Sequence, residues 1–441
     1  MNARDLAGCL AVMLMPVAMA SPAHAAPEPA SGALTVAQAR AVVDHAIDLI
    51  GKQYVFPQVR PAIVAALEAH KAEGRYDVDS AAELAARLGP DLAAASHDKH
   101  LWIAYNPAQA AALAHGEESK DARDYGARDG KRHNEGYETL RILPGNVRYL
   151  EMTGFRWNGA ATTRAAADAM RFLAGGDAVI IDLRRNGGGS AEAVQALVSY
   201  FMPADSRVLM TFHEGAGKSH STHVLAKLPA PRLTGKPLYV LTSADTASAA
   251  EEFADHVRLF KLGTLVGTAT AGAANNNTLF PAGHGFVLSV STGRPEHPVD
   301  HGNWEGTGVT PDAAVTAAAA LDQAQLLALQ MLDAKPDADR ETYAWAIDGL
   351  RGRMKPPSLD AASLAEYAGT FGVRTITLAN GMLTFQRESR APTTLAPLGA
   401  DLFAFGNTED IRLRFRRAGG HVTGFDLITI DGQTVKVDRS A

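Results

Sequence analysis

The stretch LYVLTSADTASAAEEFA, residues 238–254, predicts a strand that runs through a short turn into a helix. Its first residues form an apolar run typical of a strand buried in a sheet. Ser248 then stands where the helix begins, and a nucleophile there can use the helix N-terminus and the following amide to stabilise an oxyanion. The pattern Ser248-x-x-Glu251 is also a capping box, which needs no catalysis. No G-x-S-x-G pattern surrounds Ser248, so the turn of the α/β-hydrolases is not supported.

Strands and helices alternate on both sides of this stretch. The buried-strand runs are residues 147–150, 178–183 and 238–241, and the helical stretches are 163–173, 191–201 and 249–260. Such alternation indicates an α/β layer with a largely parallel sheet. We therefore predict an α/β core over residues 136–318.

The segments before this core have helical and loop patterns. Apolar residues recur at three- and four-residue steps from Thr35 to about Ala95, which predicts an N-terminal helical domain over residues 35–107. Residues 115–135 are dense in charge and contain three glycines, which favours a surface loop or flap.

The segments after the core differ again. Residues 319–357 are predicted to be a helical linker, broken by Pro336. Short alternating strands, including one hairpin signal at Asn380-Gly381, predict a small β domain over residues 358–441.

The first 26 residues have the pattern of a signal peptide. Arg4 precedes an apolar run at 10–20, and Ala23-x-Ala25 is typical of a signal-peptidase cut. We therefore expect export, to the periplasm or the outside of the cell. A lipoprotein box at 6–9 lies before the apolar run instead of after it, and prolines interrupt the alternative of a buried helix.

Composition excludes several classes of protein. The 441 residues are 46% hydrophobic and 20% charged, which is ordinary for a folded globular protein. A net charge of −6 gives no electrostatic footprint for nucleic acid. No apolar run of membrane-spanning length follows residue 30, so no integral membrane segment is expected. Cys9 is the only cysteine, and its removal with the leader would exclude thiol catalysis, disulfides and cysteine-ligated zinc.

Three further segments contain residues suited to catalysis. They are IDLRRNGGGS at 181–190, SHDKHLW at 96–102 and NWEGTGVTPD at 303–312. The three glycines at 187–189, called the glycine run below, fit an oxyanion hole or a tight turn. The segment lacks the Gly-Lys-Ser/Thr and G-x-G-x-x-G patterns of phosphate loops. His100 alone is typical of a structural histidine. Glu305 could orient an imidazole or be an ordinary loop glutamate.

Six short motifs follow one another between residues 35 and 315. They are YVFP (54–57), DKHL (98–101), LPGNVRYL (143–150), DLRRNGGG (182–189), TASAAEE (246–252) and GTGVTPD (306–312). As an ordered set they resemble the tail-specific, or C-terminal processing, peptidases, in the branch that includes tricorn protease and the interphotoreceptor retinoid-binding protein domains. The resemblance implies a crotonase-like α/β core with an N-terminal helical domain and a serine-type peptidase activity. The 42 residues between His100 and Leu143 are too few for the PDZ domain with which some members grip a substrate's C-terminus.

The resemblance also implies catalytic residues. One branch of the family uses a serine and a lysine about 25 residues later, but the only lysine between Ser248 and Lys335 is Lys261, which comes too early. The tricorn-like plan instead matches His100, Ser248 and Glu305 in that order. In that plan Lys99 replaces a helper serine of tricorn protease.

Each of these residues would have a stated role. His100 would take the Ser248 proton as general base, and Glu305 would hold the imidazole. The amide of Ala249 and one from Gly187 or Gly188 would bind the oxyanion. No cofactor or metal is expected, and the expected partner is a peptide or protein substrate. The sequence leaves open assembly as a homo-oligomer. The alternative function is non-catalytic binding of apolar ligands on the same scaffold, and a third is a structural role of the β domain.

Overall fold

The computed structural model describes residues 32–116, 120–215, 217–336, 339–406 and 408–440. The predicted signal peptide, residues 1–26, lies outside the described residues. The chain divides into two compact units, of which the first holds the described residues up to 141 together with 149–175 and 179–320. The second unit holds 142–148, 176–178 and the described residues from 321 onward. No helix of the described residues is long and apolar enough to span a bilayer.

The first unit begins with three helices that cover a sheet. They are α1 (Val36–Gln53), α2 (Arg60–Ala72) and α3 (Ala81–Ser96), and the strand β1 (Trp102–Tyr105) follows them. Thr35 and Ser80 cap α1 and α3, where each side chain accepts an amide three residues on. The helices share one hydrophobic core with Phe286, Leu288 and Val290 from a later strand. The structure therefore does not separate the predicted helical domain 35–107 from the rest of the first unit.

The charge-dense segment 115–135 was predicted as a loop, and that prediction was wrong for most of its length. After α4 (Pro107–Ala114), the helix α5 spans Lys120–Arg132. This helix contains two glycines and no leucine, isoleucine, valine, methionine or phenylalanine, so its sequence favours a loop. An ion pair between Arg156 and Asp129 holds it.

The α/β part of the first unit alternates as predicted. Its elements are β2 (Tyr137–Leu143), β3 (Val147–Met152), α6 (Ala160–Ala174), β4 (Ala178–Asp182), α7 (Ala191–Ser199), β5 (Val208–Glu214), β6 (Ser219–His223), β7 (Leu238–Thr242), α8 (Ala249–Leu259), β8 (Thr264–Gly267), β9 (Asn276–Gly283), β10 (Phe286–Glu296) and β11 (Ala313–Ala314). A six-stranded sheet has the order β11-β8-β7-β4-β3-β2, and β4, β7, β8 and β11 pair in parallel. A second sheet has the order β1-β10-β5-β6, with β9 also paired to β10. The predicted α/β fold class is confirmed.

Two parallel strands and one helix position the nucleophile candidate. Every residue of β4 and β7 is buried, because the strands lie in the middle of the parallel sheet. The first nine residues of α8 are buried as well. Phe253 anchors this helix, with ring centroids 6.1 Å from Phe155 and 6.3 Å from Phe201. The carboxyl ends of β4 and β7 therefore lead into loops that a rigid core fixes.

The second unit is an antiparallel β domain with its own helices. They are α9 (Ala320–Asp333), α10 (Arg340–Met354) and α11 (Ala361–Tyr367), and the strands are β12 (Gly369–Phe371), β13 (Arg374–Ala379), β14 (Met382–Arg387), β15 (Thr393–Gly399), β16 (Leu402–Phe405), β17 (Thr408–Ala418), β18 (His421–Thr429) and β19 (Thr434–Asp438). The strands pair in sequence order. The predicted hairpin is present, with Ala379 opposite Met382 and positive φ at both Asn380 and Gly381.

The segment predicted as a helical linker, 319–357, packs within this second unit. The Trp345 indole N–H of α10 donates to the Glu409 carbonyl at 2.6 Å. The Arg412 guanidinium lies 3.8 Å above the Trp345 ring. These contacts join α10 to β17, so α10 is part of the β domain's packing and does not act as a free connection.

A buried histidine on α8 makes the first unit sensitive to acid. The His256 side chain is fully buried beside Phe260 and His297, with no hydrogen-bond partner for either ring nitrogen among the described residues. Burial lowers the pKa of His256 from 6.5 to about 4. The unfolded chain therefore binds this proton first as the pH falls, so His256 by itself lowers the stability of the folded state between pH 6.5 and about 4.

We expect His256→Gln to remove about 2 kcal/mol of the stability difference between pH 7 and pH 5. Urea unfolding followed by tryptophan fluorescence at the two pH values measures this difference. His45→Gln, on the exposed side of α1, is the matched control and should keep the wild-type difference. The same loss from pH 7 to pH 5 in wild type and His256→Gln would contradict the assignment.

Candidate active site

Ser248 occupies a strained turn between β7 and α8. Its backbone has φ 55° and ψ −122°, a region that non-glycine residues rarely adopt. The Ser248 N–H donates to Glu251 Oε2 at 2.9 Å. The hydrogen bond from the Ser248 N–H to the Glu251 side chain is one of the two that a capping box requires. It forms while the Ser248 backbone has this unusual conformation.

Hydrogen bonds to the residues just before the glycine run hold the turn before Ser248 in place. Thr246 Oγ1 donates to the Leu183 carbonyl at 2.8 Å, and Ser243 Oγ donates to the Arg184 carbonyl at 2.6 Å. The Ala247 N–H donates to the Asn186 carbonyl at 3.1 Å. The loops that follow β4 and β7 are therefore fastened together, which places the glycine run directly beside Ser248.

Gly188 is the closest neighbour of the serine in that run. A Cβ on Gly188 would lie 2.7 Å from Ser248 Cβ and 3.0 Å from the Ala249 nitrogen, and its φ is 108°. Only glycine fits such an approach. The Gly188 N–H donates to Asn186 Oδ1 at 3.0 Å, so this predicted oxyanion donor already has a partner within its own loop. Among the described residues, the amides of Gly187 and Ala249 have no hydrogen-bond partner.

His100 lies in the turn between α3 and β1. Its side chain is 0% exposed, and neither ring nitrogen has a hydrogen-bond partner among the described residues. Ser289 Oγ donates to the His100 carbonyl at 2.6 Å and fixes the backbone. Burial lowers the pKa of His100, and the negative charge of Asp98 opposes this shift. The imidazole is therefore neutral at neutral pH, and it makes no hydrogen bond to Ser248 in this structure.

Glu305 lies in the loop after β10, with its carboxylate turned inward. Its Oε2 accepts the N–H groups of Ala274 at 2.6 Å and Asn275 at 2.9 Å. Its Oε1 is buried without a hydrogen-bond partner among the described residues. Burial raises the pKa of Glu305 to about 7, the nearby Asp98 charge adds to this, and the two N–H groups oppose it. The neighbouring Trp304 is buried and donates its indole N–H to the Ala273 carbonyl at 3.1 Å.

The structure brings His100 and Glu305 together and adds a third group, Asp98. One ring nitrogen of His100 and one oxygen each of Asp98 and Glu305 lie within 4.8 Å of one another. Asp98 is 3% exposed and accepts the His100 backbone N–H at 2.8 Å. Its other oxygen accepts the Tyr54 hydroxyl at 3.1 Å and the Asn275 side-chain amide at 3.0 Å.

Sequence reasoning assigned no role to Asp98, and it gave Glu251 only the role of a helix-capping residue. Glu251 is fully buried on α8 and accepts N–H groups from Gly272 at 2.6 Å and Ala273 at 2.8 Å, besides the one from Ser248. A usable signal for Asp98 was its place two residues before the candidate base, because an aspartate readily accepts an amide two positions on. The other partners of both carboxylates are remote in the chain, so no local pattern identifies those contacts.

Comparisons with known proteins show which family the chain resembles. Residues 146–315 match the model of peptidase family S41, and residues 26–139 match the N-terminal domain of this peptidase family in eukaryotic interphotoreceptor retinoid-binding protein. The chain carries a family S41 peptidase domain. The resemblance predicted from the six motifs is therefore confirmed.

Individual relatives cover part of the chain. This chain is 28% identical over 176 residues to the chloroplastic carboxyl-terminal-processing peptidase 2 of Arabidopsis thaliana. The match covers 38% of this chain and 33% of that protein. The chain is 30% identical over 172 residues to a carboxyl-terminal-processing protease of Synechocystis sp., covering 38% of each. The chain thus matches between a third and two fifths of the length of these relatives. A solved structure of the photosystem II D1 C-terminal processing protease has a TM-score of 0.43 at 19% identity, covering 64% of this chain and 94% of that one.

The close approach of the glycine run to Ser248 predicts a sharp effect of one methyl group. Gly188→Ala is expected to displace the serine or the Ala249 amide, at a cost of about 1–3 kcal/mol. We therefore expect labelling of the protein by a fluorophosphonate to slow about ten- to a hundredfold.

The matched control is Gly187→Ala, because a Cβ at Gly187 meets no atom within 4 Å and alanine keeps the amide. This variant should lose far less of the labelling rate, with circular dichroism confirming that both variants fold. Equal rates in the two variants would show that the contact between Gly188 and Ser248 does not constrain the serine.

Proposed function

We propose that this chain is a serine-type peptidase that hydrolyses peptide bonds through Ser248, His100 and Glu305 and an acyl-enzyme. The observation that carries the proposal is the backbone of Ser248. Strain of this kind is a cost of about 1–3 kcal/mol that concentrates at functional sites. A capping role alone does not require it.

Other helix caps in the same chain support this distinction. Thr35, Ser80 and Ser190 cap their helices from extended backbone, with φ between −135° and −85°, and each side chain accepts an amide of the first turn. Ser248 has φ 55° at the corresponding position. The contrast supports a serine that is placed for attack on a substrate, beside the start of a buried helix.

The proposed reaction uses the buried, neutral His100. Its imidazole takes the Ser248 proton as Oγ attacks the peptide carbonyl, and then returns the proton to the leaving amine. The free protein lacks the hydrogen bond between these two residues, and such bonds often tighten only when substrate is bound. Glu305 stabilises the imidazolium that forms between the two steps.

The oxyanion would be bound by two amides that have no other partner among the described residues. They are the N–H of Ala249, at the positive end of α8, and the N–H of Gly187. Each such donor is worth about 3 kcal/mol of transition-state stabilisation. Gly188 contributes space for the serine, since its own N–H is bonded to Asn186.

The proposal includes a cellular location and a substrate class. We propose that residues 1–25 or 1–26 are removed on export, so that the peptidase acts on peptides or proteins in the periplasm or outside the cell. N-terminal sequencing of the exported protein tests this, and a first residue at Cys9 carrying lipid would contradict it.

We expect Ser248→Ala to abolish fluorophosphonate labelling, because the alanine has no oxygen to phosphonylate. Labelling is measured on the intact protein by mass spectrometry. Lys261→Ala, which alters the exposed lysine at the end of α8, is the matched control and should label like the wild type. Labelling that persists in Ser248→Ala would place the nucleophile elsewhere.

The three proposed catalytic groups are expected to differ in a fixed order. Ser248→Ala and His100→Ala should lower kcat/KM by at least about a thousandfold on a fluorescent unfolded protein such as casein. The decrease in kcat/KM for Glu305→Gln should be smaller than those decreases by about one to two orders of magnitude, because the serine and the imidazole both remain. Wild-type kcat/KM in Glu305→Gln, with the other two inactive, would show that Glu305 is only a loop residue.

A further inference from the structure

We propose that Asp98, His100 and Glu305 bind a zinc ion, and that zinc bound there inhibits the peptidase. The binding site stands on the structure alone, whereas the inhibition rests on the proposed function. The three side chains come from two loops that lie about 200 residues apart in the chain, and they converge on one buried point.

The donor set is one that zinc accepts. One nitrogen of His100 and one oxygen each of Asp98 and Glu305 lie within 4.8 Å of one another. Zinc binds histidine nitrogen and carboxylate oxygen at about 2.0–2.2 Å, and sites with three protein ligands leave a fourth position for water. Small side-chain rotations toward the common centre would bring the three atoms to these distances.

Two of the three donors have no other partner within the described part of the chain. Both ring nitrogens of His100 are buried and unpartnered, and the side chain is 0% exposed. The Glu305 Oε1 atom is also buried and unpartnered. Buried polar atoms of this kind are rarely left unsatisfied in proteins, and a metal ion at their common centre would satisfy both residues at once.

The charge balance of the cluster also favours a cation. Among the described ion pairs, none joins Asp98 or Glu305 to a lysine or an arginine, and the nearby Lys99 donates to the Ala271 carbonyl. Buried carboxylates are normally paired or coordinate a metal. Two carboxylates that face one neutral imidazole therefore form a pocket with no positive group to balance them among the described residues.

The surroundings of the carboxylates resemble those of metal ligands. Tyr54 and the Asn275 side chain donate to Asp98, and two backbone amides donate to Glu305. Hydrogen bonds of this kind fix the orientation of ligating carboxylates. Because one ligand is an imidazole, the site favours zinc over magnesium or calcium, which prefer oxygen ligands alone.

Zinc at this position would block the proposed base. A metal bound to the imidazole nitrogen uses the electron pair that must accept the Ser248 proton, and it also occupies the Glu305 oxygen that would otherwise stabilise the charged ring. The consequence is reversible inhibition, in which removal of the metal restores the free base.

Isothermal titration of zinc into untagged Ser248→Ala protein separates metal binding from activity. We expect one zinc per chain at a site that Mg²⁺ does not occupy. Adding Glu305→Gln or His100→Asn to that background should weaken this binding at least about tenfold. Glu305→Gln keeps an oxygen that can accept the Ala274 and Asn275 amides, so its fold is expected to survive.

The matched control is Glu252→Gln in the same background. Glu252 and His256 form another buried pair, with Oε1 and Nε2 3.5 Å apart, and among the described residues no third ligand atom lies within 4.8 Å of both. This variant should bind zinc like its parent. Zinc affinity that is unchanged in Glu305→Gln and His100→Asn, or lowered equally in Glu252→Gln, overturns the proposed site.

A second experiment measures inhibition, with the wild-type chain and the casein substrate. Zinc should inhibit hydrolysis at the concentration that fills the site, EDTA should restore the rate, and Mg²⁺ should have no effect. Full activity with the site occupied overturns the inhibition. A chain that binds zinc but hydrolyses nothing in EDTA contradicts the proposed function and leaves the metal site supported.

Discussion

Four consecutive backbone amides, from Gly272 to Asn275, hold two buried carboxylates, and the site depends on this clamp. The first two amides donate to Glu251, and the next two donate to Glu305. A buried carboxylate is costly unless hydrogen bonds satisfy it, and each bond to a charged group is worth about 1.5–3 kcal/mol. Glu251 in turn accepts the Ser248 N–H. One short loop therefore ties the helix that begins after Ser248 to Glu305, which lies near His100.

The strain at Ser248 persists because its neighbours determine the turn from several sides. Asn186 accepts the Ala247 N–H through its carbonyl and the Gly188 N–H through its side chain, so one residue fixes both the serine turn and the glycine beside it. Phe253 anchors the helix that follows in the core. Relaxing the serine backbone would require breaking these contacts, which stabilise the loops in which they lie. The strained serine is thus held by the same packing that stabilises the sheet.

Local patterns predicted the parts of the site that are local in the chain. The strand, turn and helix around Ser248 and the parallel arrangement of β4 and β7 follow from apolar runs and alternation. The pairing of His100 with Glu305 came only through the family resemblance, because 204 residues separate them. The clamp on Glu251 and the hydrogen bond from Asn275 to Asp98 join residues that no periodicity relates. Helix α5 was missed because its sequence has two glycines and no large aliphatic residue. The side-chain bond from Asn186 to the Gly188 amide, one of the two amides offered as an oxyanion donor, was not foreseen either.

The environment of His100 differs from that of a simple triad, in which one carboxylate faces one imidazole. Here Asp98 and Glu305 both lie near the ring, and burial raises the pKa of Glu305 to about 7 while it lowers the pKa of His100. Both shifts have the same cause, since a poorly solvated pocket disfavours every isolated charge. A proton that arrives on the imidazole changes this balance, because the imidazolium and the carboxylates then stabilise one another. The pocket is therefore arranged for a positive charge that is absent at rest, and a proton from Ser248 and a metal ion from solution would compete for the same place.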